Sequence, residues 1–159
     1  MTHSVDTALG DRATFESGAL NVLLESMQDA VVITTTALDE PGPVVTFVNK
    51  AFERMTGYDR REVIGRTPRI FQGAETARSE LDRMRRSLQA GQTFEGTTIN
   101  YRKDGSAFPL TWAVVPIFDD FGEHVAWLSL QGERASIEEN DLERRAVAMQ
   151  ADMHIPHRA

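Results

Sequence analysis

Three strand-like segments follow one another closely near the C-terminal side of the chain: FEGTTINYR (94–102), AFPLTWAVVPIF (107–118) and HVAWLSLQGE (124–133). Only the turns KDGS and DDFGE separate them, and connections that short join antiparallel neighbours, because a parallel pair needs a long crossover. Ahead of them, AVVIT (30–34) and VVTFVN (44–49) read as a strand pair broken by the DEPGP stretch at 39–43. Between the pair and the triplet lie helical patterns. Asn49 precedes KAFERMTGY, in which Phe52 and Met55 share a face and Gly57 provides a C-terminal stop. Glu75 to Ala90 carries Leu81, Met84 and Leu88 at helical intervals. Strands, then helices, then strands predict an α+β domain: a five-stranded antiparallel sheet with short helices on one face and a pocket between the two layers.

Both flanks carry amphipathic stripes. Residues 1 to about 14 are small and polar and read as a frayed arm, but Leu20, Leu23, Leu24 and Met27 recur at helical spacing. Ser136 and Glu139 form a capping-box signature ahead of Leu142, Ala146, Met149 and Met153, and the closing HIPHRA reads as a frayed tail. The expected organisation is therefore an arm and flanking helix over 1–27, the α+β domain over 28–134, and a C-terminal amphipathic helix and tail over 135–159. The stripes either fold back on their own sheet or pair with a second copy. With both ends apolar and no output domain attached, a homodimer is expected.

Composition removes several chemistries. A net charge of -7 argues against a bare electrostatic grip on nucleic acid. The absence of cysteine excludes disulfides, zinc–thiolate sites and thiol nucleophiles. No apolar run approaches the ~20 residues that span a bilayer, and the first residues lack a signal pattern, so no membrane is expected and the cytoplasm is the expected compartment. The four histidines, His3, His124, His154 and His157, fall in the arm, a turn and the tail, so neither haem nor metal is expected. No carboxylate pair, metal cluster or activated nucleophile assembles from these motifs, so an enzyme is not expected.

Binding candidates come from polar groups on faces that should be covered. Thr98 and Asn100 share one face of the first long strand, and Gln131 lies on the last. Amides there need partners, which are each other, a water or a ligand. Arg69 and Arg85 are either surface arginines or an anion clamp. Trp112 and Trp127 sit where aromatics pack a sheet, with electron donation to a redox ligand as the sharper alternative. Pro68 reads as a residue that starts a helical turn.

The stretches VTFVNKAFERMTGY, EVIGRTPRIFQGAET, INYRKDGSAF and WLSLQGE together resemble a PAS domain, and within that family its light-oxygen-voltage (LOV) branch. The resemblance implies a pocket for FMN, with FAD or riboflavin as alternatives. It implies that Arg69 and Arg85 meet the phosphate, Gln72 the ribityl chain, Asn100 the pyrimidine edge, and Gln131 the ring near N5 and O4. Three positions depart from the pattern: Thr67 stands in place of an asparagine, Pro68 in place of the adduct-forming cysteine, and Leu110 in place of a second pyrimidine-reading asparagine. The implied function is a stand-alone flavin sensor that responds by redox change or photoreduction without a cysteinyl adduct and passes its signal to an unknown downstream protein. The alternative is a cofactor-free dimerisation or docking module whose hollow is filled by Leu110.

Overall fold

The computed structural model describes residues 18–134 and 141–153. The expected arm, the Ser136–Glu139 capping box, the HIPHRA tail and His3, His154 and His157 lie outside the described residues. Five strands form one antiparallel sheet: β1 (Ala30–Thr34), β2 (Val45–Val48), β3 (Phe94–Tyr101), β4 (Ala107–Phe118) and β5 (His124–Glu133), in spatial order β2-β1-β5-β4-β3. The β-branched run of β1 places it between β2 and β5, with Val32 opposite Val48 on one side and Ser129 on the other.

Helical elements bridge β2 and β3: α2 (Lys50–Thr56), α3 (Arg60–Val63), a 3-10 turn (Pro68–Phe71) and α4 (Arg78–Gln89). Asn49 starts α2, its side chain accepting from Phe52 N–H, and Gly57 ends it at φ 77° in the left-handed conformation that glycine adopts without Cβ strain. Pro68 opens the 3-10 turn, as its fixed φ favours. Helix α3 was not anticipated, although its signal is in the chain: Asp59 and Glu62 form a reciprocal capping box.

Helix α4 starts three residues later than the apolar spacing suggests. Residues 75–77 are held to β3 instead: Tyr101 Oη accepts from Glu75 N–H at 3.0 Å, the Thr76 hydroxyl donates to the Ile99 carbonyl at 2.7 Å, and Thr98 Oγ1 accepts from Ala77 N–H at 2.8 Å. Those side-chain bonds outcompete a first helical turn.

Side chains alternate across the sheet, which gives it two distinct faces. The inner face, under α2 to α4, carries Val32, Ser129, Gln131, Trp112, Leu110, Thr98 and Asn100. The outer face carries Val31, Ala113, Val115, Ile117, Leu128 and Leu130, all with no measurable exposure. The short helices α2 to α4 thus lie on one face, as expected, and the flanking helices cover the other. Over the outer face lie α1, with helical residues 18–26, and α5 (Asp141–Asp152). Leu20, Leu24 and Met27 of the first stripe and Leu142, Ala146, Met149 and Met153 of the second pack against the outer sheet of their own chain. Only Leu23 of the expected stripes stands in solvent, at 63% exposure. A continuous apolar run such as AFPLTWAVVPIF in β4 is what a strand buried on both faces requires, and each fully buried leucine or isoleucine contributes about 1.5–3 kcal/mol.

Asn49 joins these layers. It is fully buried, and all its side-chain bonds go to backbone: Oδ1 accepts from Val31 N–H (2.9 Å) and Phe52 N–H (3.1 Å), while Nδ2 donates to the carbonyls of Leu24 (2.8 Å) and Asp29 (3.0 Å). One amide thus binds the end of α1, the entry to β1 and the first turn of α2. Arg60 adds a second link by bridging Glu25 at 2.6 Å and Glu53 at 2.7 Å. That guanidinium holds the Glu25 carboxyl below the ordinary carboxylate range, against the opposing effect of burial.

Candidate functional site

A cavity of about 260 Å³ opens between the inner face of the sheet and the 3-10 turn and α4. All the residues singled out from the sequence line it: Thr67, Arg69, Gln72, Arg85, Asn100 and Gln131. They arrive from four elements. Thr67, Arg69 and Gln72 come from the 3-10 turn and its flanks, Arg85 from α4, Asn100 from β3 and Gln131 from β5.

The floor is set by strand register. Gln131 lies between Ala30 and Trp112, Ser129 between Val32 and Val114, and Leu110 between Thr98 and Glu133. Gln131 Nε2 donates to Ser129 Oγ at 3.2 Å, whereas the Asn100 amide has no protein partner among the described residues. An amide on a half-buried strand position without a partner is a group still able to bond a ligand. Leu110 is 3% exposed and takes part in an apolar cluster with Trp112, Trp127 and Phe108, so it narrows the cavity without closing it.

Both tryptophans are buried packing residues with satisfied indoles. Trp112 Nε1 donates to Met84 Sδ at 3.4 Å, and Trp127 Nε1 to the Thr36 carbonyl at 3.1 Å. Each also borders the cavity and presents an aromatic surface to it.

The loop is held tightly on its β3 side. Gly73 approaches the Tyr101 ring so closely that a Cβ there would lie 2.4 Å from a ring carbon. Only glycine permits that contact, which fixes where Gln72 enters the cavity.

The mouth is lined by Pro41, Gly42 and Pro43 on one side and by Arg69 and Arg85 on the other. The loop between β1 and β2 is closed at its neck by Thr35 N–H to the Val44 carbonyl (2.9 Å) and by Val44 N–H to Thr35 Oγ1 (2.9 Å). A tight turn at Gly42, φ 97°, directs the acidic residues of that loop across the opening. Arg85 Nη2 donates to Asp39 Oδ1 at 2.6 Å, and Arg69 Nη2 donates to Glu40 Oε1. The Arg69 hydrogen bond holds the Glu40 carboxyl below its usual range and keeps it ionised. The sequence reading gave these carboxylates no role beyond the DEPGP chain break. Their partners lie 29 and 46 residues away, a distance over which no local pattern speaks.

Among the described residues no group of three or more histidine, aspartate or glutamate side chains is placed to hold a metal ion, and no helix is long and apolar enough to cross a membrane.

A sheet of order β2-β1-β5-β4-β3 with helices bridging β2 and β3 over a lined hollow defines a recognisable class. Residues 28–131 match the family model described as a PAS domain, and the chain belongs to that family. Its similarities narrow this to the light-oxygen-voltage type. Phototropin-2 of rice (Oryza sativa subsp. japonica) is 33% identical over 147 residues, covering 89% of this chain and 16% of that protein. A blue-light photoreceptor of Listeria monocytogenes serovar 1/2a is 32% identical over 112 residues, covering 70% of this chain and 44% of the relative. The LOV domain of a blue-light activated histidine kinase, Erythrobacter litoralis EL346, superposes with a TM-score of 0.62 at 27% identity, covering 69% of this chain and 99% of that one. The chain thus spans less than half the length of these curated relatives. It is a LOV-type PAS domain without the adduct-forming thiol, since it contains no cysteine.

Proposed function

We propose that this chain is a flavin-holding sensory domain that responds to blue light or to reduction and acts without a cysteinyl adduct. The observation that carries the reading is the convergence of Arg69, Arg85, Gln72, Asn100 and Gln131 on one hollow, with the Asn100 amide unpartnered among the described residues. The lining fits such a ligand chemically. Aromatic and aliphatic walls suit a flat ring system, amides at its polar edges suit a pyrimidine, and guanidinium groups at the mouth suit an anionic tail. The flavin is assigned as FMN or a form that shares its ring, riboflavin or FAD, with Arg69 and Arg85 at the phosphate end and Thr67 and Gln72 along the connecting chain. A bound flavin would supply absorption of blue light and uptake of electrons with a proton.

The response we assign to the chain centres on Gln131. Its amide offers a donor or an acceptor by rotation, and Ser129 Oγ is its present partner. Gln131 belongs to β5, whose other face carries Leu128 and Leu130 against the α1 and α5 layer. A turn of the amide therefore acts on the strand that supports both flanking helices, within the ~1–3 kcal/mol typical of coupling between sites. Val22 and Leu23 of α1 and Val147 of α5 are exposed apolar residues, and they are the surface we assign to a homodimer. The domain is read as a sensor that passes its signal to a separate protein and has no catalysis of its own, in the cytoplasm and without nucleic acid.

A second reading has one observation in its favour: Leu110 and Leu38 both line the hollow, as side chains of a cofactor-free docking module would. The visible absorption spectrum of the purified protein separates the two, before and after reconstitution with flavin. A structured flavin band that bleaches on adding dithionite is expected. Colourless protein that takes up neither riboflavin nor FMN overturns the sensor reading.

A further inference from the structure

The mouth of the cavity is electrically balanced by the chain itself. Arg69 and Arg85 are the cations best placed to meet a phosphate, yet each is paired with a carboxylate of the 39–43 loop. Two guanidinium charges opposed by two carboxylates leave that rim formally neutral. Elsewhere on α4, the exposed Arg78 and Asp82 add one charge of each sign to the lining. A dianionic phosphate arriving there has to displace Glu40 and Asp39 from the arginines and then sit beside both. The ring-binding end has no such competing charge, and the Asn100 amide has no protein partner among the described residues.

We propose that Asp39 and Glu40 act as built-in substitutes for a phosphate, so that the cavity selects its ligand by the ring and takes the unphosphorylated flavin about as readily as the phosphorylated one. This rests on the flavin reading above and deepens it by naming the residues that set the choice between flavins. Both acids are well exposed, at 70% for Glu40 and 91% for Asp39, so replacing them leaves the core untouched. Their exposure also limits the effect: each exposed pair is worth up to about fivefold in an equilibrium constant, and the two together about tenfold.

The test measures dissociation constants of riboflavin and FMN by flavin fluorescence at low ionic strength, for the natural chain and for the double variant Asp39→Asn/Glu40→Gln. The natural chain should bind the two flavins within about threefold of each other, and the double variant should favour FMN by about tenfold with riboflavin unchanged. Adding Arg69→Gln to the double variant should remove most of that gain, and so should raising the salt concentration. Binding of riboflavin with a ratio that moves by less than threefold in the double variant overturns this inference alone. Failure of the natural chain to bind either flavin overturns the flavin reading and this inference with it.

Discussion

The two faces of the sheet are built from the same strands to opposite ends. On the outer face, Val31, Ala113, Val115, Ile117, Leu128 and Leu130 are apolar and wholly buried beneath α1 and α5. On the inner face, the alternate residues of the same strands include Ser129, Gln131, Thr98 and Asn100, and a hollow remains above them. Period-two alternation lets one strand serve both: every second residue stabilises the domain, and the intervening ones line a site.

This contrast can be tested most forcefully with one leucine from each side. Leu128→Ala on the outer face should cost about 2–5 kcal/mol in urea denaturation, the range for a large-to-small change in a close-packed core. Leu110→Ala on the inner face should cost only about 1–2 kcal/mol, because the side chain already borders open space. Equal losses would mean that Leu110 is packed as tightly as Leu128 and would favour the cofactor-free module.

Asn49→Ala probes the joint between the layers. It strands buried backbone donors at Val31 and Phe52 and acceptors at Leu24 and Asp29, and should cost about 3 kcal/mol in the same assay. A loss below about 1 kcal/mol would show that water replaces the amide.

Gly73→Ala sharpens the picture at the edge of the cavity. The added Cβ must push the Tyr101 ring away, at about 1–3 kcal/mol, and should shift the tyrosine fluorescence or the near-UV dichroism.

The smallest effect is expected at the rim of the outer face. Both carboxylate oxygens of Glu95 are buried without a close hydrogen bond among the described residues, and desolvation, with the nearby charges of Glu143 and Asp141, pushes its carboxyl upward against the smaller opposing pull of the Glu143 backbone. A carboxyl raised in the folded state favours folding below its unfolded value of about 4.3 and loses that contribution as pH rises through the folded value. Glu95→Gln should therefore match the natural chain at about pH 3.5 and exceed it by up to about 1 kcal/mol at about pH 7.5, read from the pH dependence of Tm.

Much of this was legible in the chain. The strands and their antiparallel pairing follow from the alternation and from the KDGS and DDFGE turns, and the Asn49 cap and Gly57 stop mark α2 correctly. Of the six candidate lining residues, strand register carries Asn100 and Gln131 to the inner face, whereas Thr67, Arg69, Gln72 and Arg85, which the family resemblance pointed to, arrive from the 3-10 turn, its flanks and α4. What escaped the sequence depends on contacts between distant segments. The start of α4 was misplaced because Tyr101 and Thr98, on a strand far along the chain, hold residues 75–77. The apolar stripes read as pairing with a second copy, whereas they pack on their own sheet, since an amphipathic stripe looks the same in either case. Asp39 and Glu40 read as loop polarity, because charge pairing across 29 and 46 residues leaves no periodic trace.

The Asn49 bonds are unequal in what they hold. Loss of α1 from the sheet removes the Leu24 bond and leaves those to Asp29, Val31 and Phe52 in place. Departure of the flanking helix would break the Glu25 bonds to Lys50 N–H and Arg60 as well, but would leave Asn49 on Phe52 and Val31, holding the α2 cap and the entry to β1. Amide hydrogen exchange should register this as a lower opening free energy along residues 18–26 than at Val31 and Phe52, two tiers of protection within one small domain.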